Sequence, residues 1–277
     1  MIAPPQVLVV VPTYNHENYI EDCLDSIEEQ SYAYISVICI DDCSSDNTFN
    51  IVKRWSSLER SKDYHLYKND VNYGLNNLFK RIAIYARNHQ HDYIIFFSGD
   101  DIMIDKSKVS IQVDLMEITE ACCCVTGYNL KTSDNIIKYS FYDYLRINPR
   151  GYIFPLSTTG FQPWLSNMVR SSAFFSIEKQ IPRISFSDFA LYILLVDRFG
   201  PPVFTNKIIS TYRIHSTSAV SEFKIDRYIE LFLWMLPKSC QSGHFYHLSI
   251  NLFITLAKVI ASKLYSFLFY ISHLRLK

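Results

Sequence analysis

Four short apolar runs, residues 7–11, 35–40, 93–97 and 122–125, are separated for the most part by polar segments of helical period. This alternation constrains the chain more than any other feature. Strands that read as continuous apolar runs are buried on both faces, the condition of a parallel sheet covered by crossover helices. Tyr19, Ile20, Cys23, Leu24 and Ile27 recur at helical spacing, with acidic residues on the other face, so residues 17–30 are predicted to form the first crossover helix. Ser44-Ser45-Asp46 supply capping residues for a second helix reaching about Leu58, and Gly74 precedes a third from about Leu75 to His89. The fold class is therefore α/β, and in open sheets of this kind ligands sit beyond the carboxyl ends of the strands. Those ends carry Pro12-Thr13-Tyr14-Asn15, Asp41-Asp42-Cys43-Ser44 and Ser98-Gly99-Asp100-Asp101.

With 277 residues and 49% hydrophobic content the chain can bury a sizeable core. Its seven cysteines include the run Cys122-Cys123-Cys124, whose neighbours face opposite sides of a strand, so no disulfide framework is expected and a reducing compartment is. No CxxC or HxxxH pair suggests zinc. The start, MIAPPQVLVVVPTYN, lacks the positive segment of a signal peptide, and a cytoplasmic location is expected. The formal net charge is zero, and no nucleic-acid partner is expected. Residues 1–223 carry 20 Lys and Arg against 25 Asp and Glu, whereas residues 224–277 carry 7 against 2.

The segments VVVPTYNHENYIEDCLDSIEEQSY, ICIDDCSSDNT, NDVNYGLNN, FFSGDD, FSDFALYILLVDRFG and YRIHSTS, in this order from about residue 5 to 220, resemble the family 2 glycosyltransferases. The resemblance implies a GT-A fold over residues 1–222, a nucleotide-sugar donor, inversion at the anomeric carbon and dependence on Mn²⁺ or Mg²⁺. It places Pro12, Thr13 and Tyr14 in the donor site, Tyr14 either lying against the base or filling the core. Asp42 at the rim can accept the N3–H of uracil or thymine, which favours UDP, or else cap its own loop through Ser44 or Ser45. Asp41 points the other way and braces the loop.

Carried over from the family, Asp101 is the metal ligand and Asp100 contacts the ribose or a metal-bound water. Hard oxygen ligands suit such a cation, which donor phosphates complete. Gly99 is expected to let the backbone approach the ligand. Asp188 matches the family's catalytic base, and a place at a helix N-terminus would lower its pKa and keep it ionised. Leu191, Leu194 and Leu195 of the same helix should face inward. The resemblance also implies that Arg213 meets the diphosphate, that His215 contacts metal or phosphate, and that Trp164 is either a sugar platform or a core residue.

The segment 223–277 is read as a basic helical extension. Asn251, Thr255, Lys258, Ser262 and Ser266 form one narrow polar stripe on a helix otherwise apolar from Leu248 to Tyr270. Lys258 and Lys263 near its middle disfavour a membrane span, so an interfacial helix meeting anionic lipid is expected. Its rivals are packing on the chain's own body or on a second copy in a homo-oligomer. The acceptor that resemblance and tail imply is a glycan, lipid-linked through undecaprenyl diphosphate, in O-antigen or capsule assembly on the inner face of the membrane. A catalytically silent nucleotide-sugar binder or scaffold is the alternative. Loss of Asp101 or Asp188 would have favoured it, and both are present. A nucleotidyltransferase lacks support because VPTYNHENY contains no glycine.

Overall fold

The computed structural model describes residues 3–74, 78–139, 165, 167–185, 187–200, 202–216, 218, 226, 229–231 and 233–235. The expectations for Trp164 and for the tail from Leu248 to Tyr270 lie outside them. The chain forms two compact units, one of residues 1–143, 162–183 and 187–222, the other of residues 144–161, 184–186 and 223–277. Every strand and helix named below belongs to the first. In the second, the Ser185 amide donates to the Glu230 carboxylate at 3.1 Å.

Strand β1 (Val7–Thr13) leads to helix α1 (Ile20–Glu28), β2 (Ile35–Asp41), α2 (Thr48–Ser56), β3 (Asp63–Lys68), α3 (Leu78–Asn88) and β4 (Tyr93–Phe96). These four strands are parallel, with Val7 opposite both Ile35 and Tyr93 and with Thr13 opposite Asp41. Val7, Leu8, Val9, Val10 and Val11 are all fully buried, as a central parallel strand requires. Ile20, Cys23, Leu24 and Ile27 of α1 lie in the same core.

The second half follows as β5 (Ile102–Met103), α4 (Lys108–Thr119), β6 (Cys123–Lys131), β7 (Ile136–Tyr139), β8 (Asn167–Arg170), α5 (Ser171–Ile177), a 3₁₀ turn (Glu178–Gln180), α6 (Ser187–Phe199) and β9 (Val203–Arg213). One nine-stranded sheet runs β3-β2-β1-β4-β8-β6-β9-β5, with β7 hydrogen-bonded to β6. It turns antiparallel at β8, which pairs with both β4 and β6. Short β5, directly after Asp100-Asp101, pairs antiparallel with β9, Ile102 opposite Thr211. That register brings Arg213, the end of β9, back to the carboxylate pair.

Helix α1 exists but begins later than its apolar period suggests, because the residues before it bind elsewhere. Glu17 donates its amide to Asp46 at 3.1 Å and accepts the Asn47 amide at 3.0 Å, so α1 opens only at Ile20. Asp105 accepts the amide and hydroxyl of Ser107 at 2.8 and 2.6 Å, and α4 opens at Lys108. Lys108 itself is fully buried, and its ammonium finds the Gln112 side-chain carbonyl at 3.0 Å. Burial pushes that amine down from 10.5 to about 7.

Candidate functional site

The carboxyl rim is assembled by two loops zipped to each other. After β1, Asn15 takes a left-handed φ of 56°, its amide donates to the Ser44 hydroxyl at 3.0 Å and its side-chain oxygen accepts the Ser45 amide at 2.9 Å. The His16 amide donates to the Thr48 hydroxyl at 2.7 Å. After β2, Asp41 is fully buried and accepts the Ser44 amide at 3.1 Å and the Thr13 hydroxyl at 3.3 Å, the bracing role read from its facing. Pro12 likewise serves the scaffold, its carbonyl accepting the Gly99 amide at 3.1 Å. Tyr14 is 45% exposed on this rim, which removes the core-filling alternative.

Asp42 is more occupied than a lone base reader. Its carboxylate accepts the Asn69 side-chain amide at 2.7 Å, the Tyr73 amide at 2.9 Å and the Gly74 amide at 2.7 Å. Neither Ser44 nor Ser45 is its partner in these bonds. Gly74 adopts φ +58°, where a side chain is strained, so this residue type suits the turn that Asp42 holds. Arg81 extends the network, donating to the Asn69 side-chain oxygen at 2.8 Å. Asn69 and Arg81 escaped the sequence reading because their link to Asp42 is made only in three dimensions.

At the end of β4, Gly99 is required by protein rather than by ligand. A Cβ there would stand 2.8 Å from Thr13 Cγ2, 2.9 Å from His16 Nδ1 and 2.9 Å from Ile20 Cδ1.

The two carboxylates that follow differ sharply. Asp101 is 1% exposed, and its Oδ1 accepts the Arg213 backbone amide at 3.1 Å. Burial, and then the charge of Asp100, push its pKa well above the ordinary carboxylate value. Asp100 instead turns its Oδ2 to His215 Nε2 at 3.1 Å and to His16 Nε2 at 3.7 Å. Burial alone would raise Asp100, but the His215 hydrogen bond and the His16 imidazole outweigh it and hold the carboxyl below its ordinary value. Its Oδ1 is buried without a hydrogen-bond partner among the described residues.

Arg213 does not present a free fork to phosphate. Its Nε donates to the Asp100 carbonyl, Nη1 to the Asp22 carboxylate at 2.9 Å and Nη2 to the Tyr19 carbonyl at 3.0 Å. A guanidinium whose three nitrogens are all engaged by protein is a clamp, and the sequence could not show those partners. The clamp sets up His215, whose ring stacks on Tyr19 at 4.4 Å and 21°. The His215 amide donates to the Ser218 hydroxyl at 3.0 Å, and the Ser218 amide returns to the His215 carbonyl at 3.0 Å.

Asp188 lies in the first turn of α6, whose Leu191, Leu194 and Leu195 are buried as expected. The predicted lowering of its pKa is corrected: burial pushes it up to about 7, outweighing the backbone amides of Phe189 and Asp188 that pull it down. Its Oδ1 is buried without a hydrogen-bond partner among the described residues. Tyr212, given no role by the sequence reading, stands within electrostatic reach of all three carboxylates. Burial and the charges of Asp101, Asp100 and Asp188 together push its phenol up.

Among the described residues no group of three or more His, Cys, Asp or Glu side chains forms a metal cluster on its own. The pair Asp100 and His215 nevertheless fits a divalent cation whose remaining ligands come from a bound anion. A carboxylate and an imidazole whose donor atoms lie 3.1 Å apart suit neighbouring positions on one ion, and the unpartnered Asp100 Oδ1 offers a further oxygen.

Residues 8–181 match the family model Glycosyl transferase family 2. Over 135 residues the chain is 31% identical to TuaG of Bacillus subtilis, a glycosyltransferase assigned to teichuronic acid biosynthesis, covering 47% of this chain and 49% of that protein. Over 127 residues it is 33% identical to the dTDP-rhamnosyl transferase RfbG of Shigella flexneri, covering 46% and 41%. The chain thus spans about half or less of the length of these relatives. Among solved structures, the mannosyltransferase PcManGT of Pyrobaculum calidifontis with GDP-Man and Mn²⁺ superposes with a TM-score of 0.68 at 16% identity, over 99% of this chain and 81% of that one. Residues 1–349 of S. aureus TarS with UDP-GlcNAc superpose with a TM-score of 0.63 at 17% identity, over 83% and 66%. At such identities these likenesses establish the fold, which is GT-A. The match of the family model across most of the sheet and its rim places the chain in glycosyl transferase family 2.

Proposed function

We propose that this chain moves a sugar from a nucleotide-sugar donor, a UDP-sugar, to a hydroxyl of a glycan acceptor in the assembly of a bacterial surface polysaccharide, with inversion at the anomeric carbon. The observation that carries the reading is the pairing of Asp100 with His215 on a rim that also holds Asp42, Tyr14 and a carboxylate, Asp188, whose pKa lies near 7. The name of TuaG supports the polysaccharide setting, and the TarS complex with UDP-GlcNAc supports the uridine donor.

In this reading Tyr14 offers a flat exposed ring to the base, and Asp42, held by Asn69, Tyr73 and Gly74, presents its remaining acceptor capacity to an N–H of the base edge. Asp100 and His215, rather than Asp101, hold Mn²⁺ or Mg²⁺. When bound, that cation neutralises charge on the departing nucleoside diphosphate. Asp101 and Arg213 keep the loop of His215 in place through the amide bond and the clamp. Asp188 accepts the proton of the acceptor hydroxyl as its oxygen attacks, a task suited to a carboxylate whose pKa lies near the working pH.

The segment 223–277 is proposed to dock on the inner membrane face and so bring the site to an undecaprenyl-diphosphate-linked acceptor. No helix among the described residues is long and apolar enough to cross a membrane. A thermal-shift screen of UDP-, GDP- and dTDP-sugars with Mn²⁺ tests the donor, and activity unaffected by chelator would sink the cation's role. Co-sedimentation with anionic liposomes, comparing the full chain with one ending near Asp226, tests the docking, and equal binding would refute it.

A further inference from the structure

We propose that His16 is a further residue of the donor site, donating a hydrogen bond from Nε2–H to the donor's diphosphate while His215 serves the cation. The inference rests on the reading of Asp100 and His215 as the cation-diphosphate site.

Its evidence is the unequal setting of the two ring nitrogens. His16 is fixed at its backbone by Thr48 and sits where the missing Gly99 side chain leaves room, beside Thr13 and Ile20. Nδ1 is buried against this wall without a hydrogen-bond partner among the described residues. A buried N–H without an acceptor is costly, and an Nε2 proton is favoured by the Asp100 carboxylate oxygen 3.7 Å away. The proton therefore belongs on Nε2. That distance is too long for a hydrogen bond, so the donor still has capacity for another oxygen. The side chain retains 14% exposure, and the ring meets His215 edge-on with centroids 6.5 Å apart. Nε2–H acts as a donor. It can bond an anionic oxygen. An anion held by a cation on Asp100 and His215 must come close to it, and a diphosphate is the group with oxygens to serve both.

Isothermal titration in the presence of Mn²⁺ tests this with whichever of UDP, GDP and dTDP binds the unchanged protein most tightly, measured against its own monophosphate. His16→Ala should weaken diphosphate binding by about tenfold or more and change monophosphate binding little. His16→Gln, whose amide N–H₂ reaches a similar position, should keep most of the affinity. Diphosphate binding by His16→Ala equal to the unchanged protein, or an equal loss of the monophosphate, would overturn the role of His16. His215→Ala that binds Mn²⁺ and diphosphate normally would instead overturn the cation reading. Failure of all three diphosphates to bind the unchanged protein would overturn the donor reading and this inference with it.

Discussion

Replacing Lys108 with Met removes an amine that the fold holds in an unfavourable state, and the effect has a pH signature independent of donor and acceptor. In the folded chain the amine is fully buried with Gln112 as its hydrogen-bond partner, and its pKa is pushed from 10.5 to about 7. The unfolded chain keeps the ordinary value, so between these two pH values the unfolded state binds more protons. Stability must therefore rise with pH in that window and lose this contribution as pH falls toward 7. With about 1.4 kcal/mol for each unit of difference, the rise from pH 7 to pH 9 integrates to about 2 kcal/mol. Methionine fills a similar volume without the charge but removes the hydrogen bond to the Gln112 carbonyl, so its absolute stability combines two effects and its pH slope does not. Urea unfolding at pH 7, 8 and 9 should show the unchanged protein gaining about 2 kcal/mol relative to Lys108→Met. Parallel curves for the two proteins would refute the assignment of a neutral buried amine.

Asp188→Asn should abolish sugar transfer while sparing nucleotide binding. In the unchanged enzyme a base with a pKa of about 7 should make the rate at pH 6 about tenfold lower than at pH 8, and a rate flat across that range would exclude Asp188 as the base. Gly99→Ala should destabilise the fold by about 1–3 kcal/mol, read from a denaturant midpoint, because the new methyl meets three side chains below 3.0 Å. Asp100→Ala should lose Mn²⁺-dependent nucleotide binding in a calorimetric titration. Asp101→Asn, which preserves an acceptor for the Arg213 amide, should retain it, and the opposite order would restore the cation to Asp101.

The sheet was legible because its physics is local. A strand buried on both faces needs a continuous apolar run, and residues 7–11 supply one that is fully buried. Helix identity was legible for the same reason, but the start of α1 was not, since Glu17 spends its polar groups on loop partners that no periodicity reveals. The rim's position followed from the strand ends. The division of labour on it did not, because burial decides which of two adjacent carboxylates meets solvent, and β9 covers Asp101 from more than a hundred residues away. Asp188 shows the same gap: the helix start was readable, the desolvation that outweighs it was not. His16 had one usable signal, an imidazole directly after the Pro-Thr-Tyr-Asn turn at a strand end.

The Arg213 clamp also sets an order of events during synthesis. Its bond to Asp22 joins residues 191 positions apart, and its backbone amide is what Asp101 accepts. While a ribosome is still translating the middle of the chain, the parallel strands can pair, yet Asp100 and Asp101 stand together with neither clamp nor histidine loop. The nascent half-sheet is thus a rim without its clamp. Completion of the proposed site therefore awaits β9.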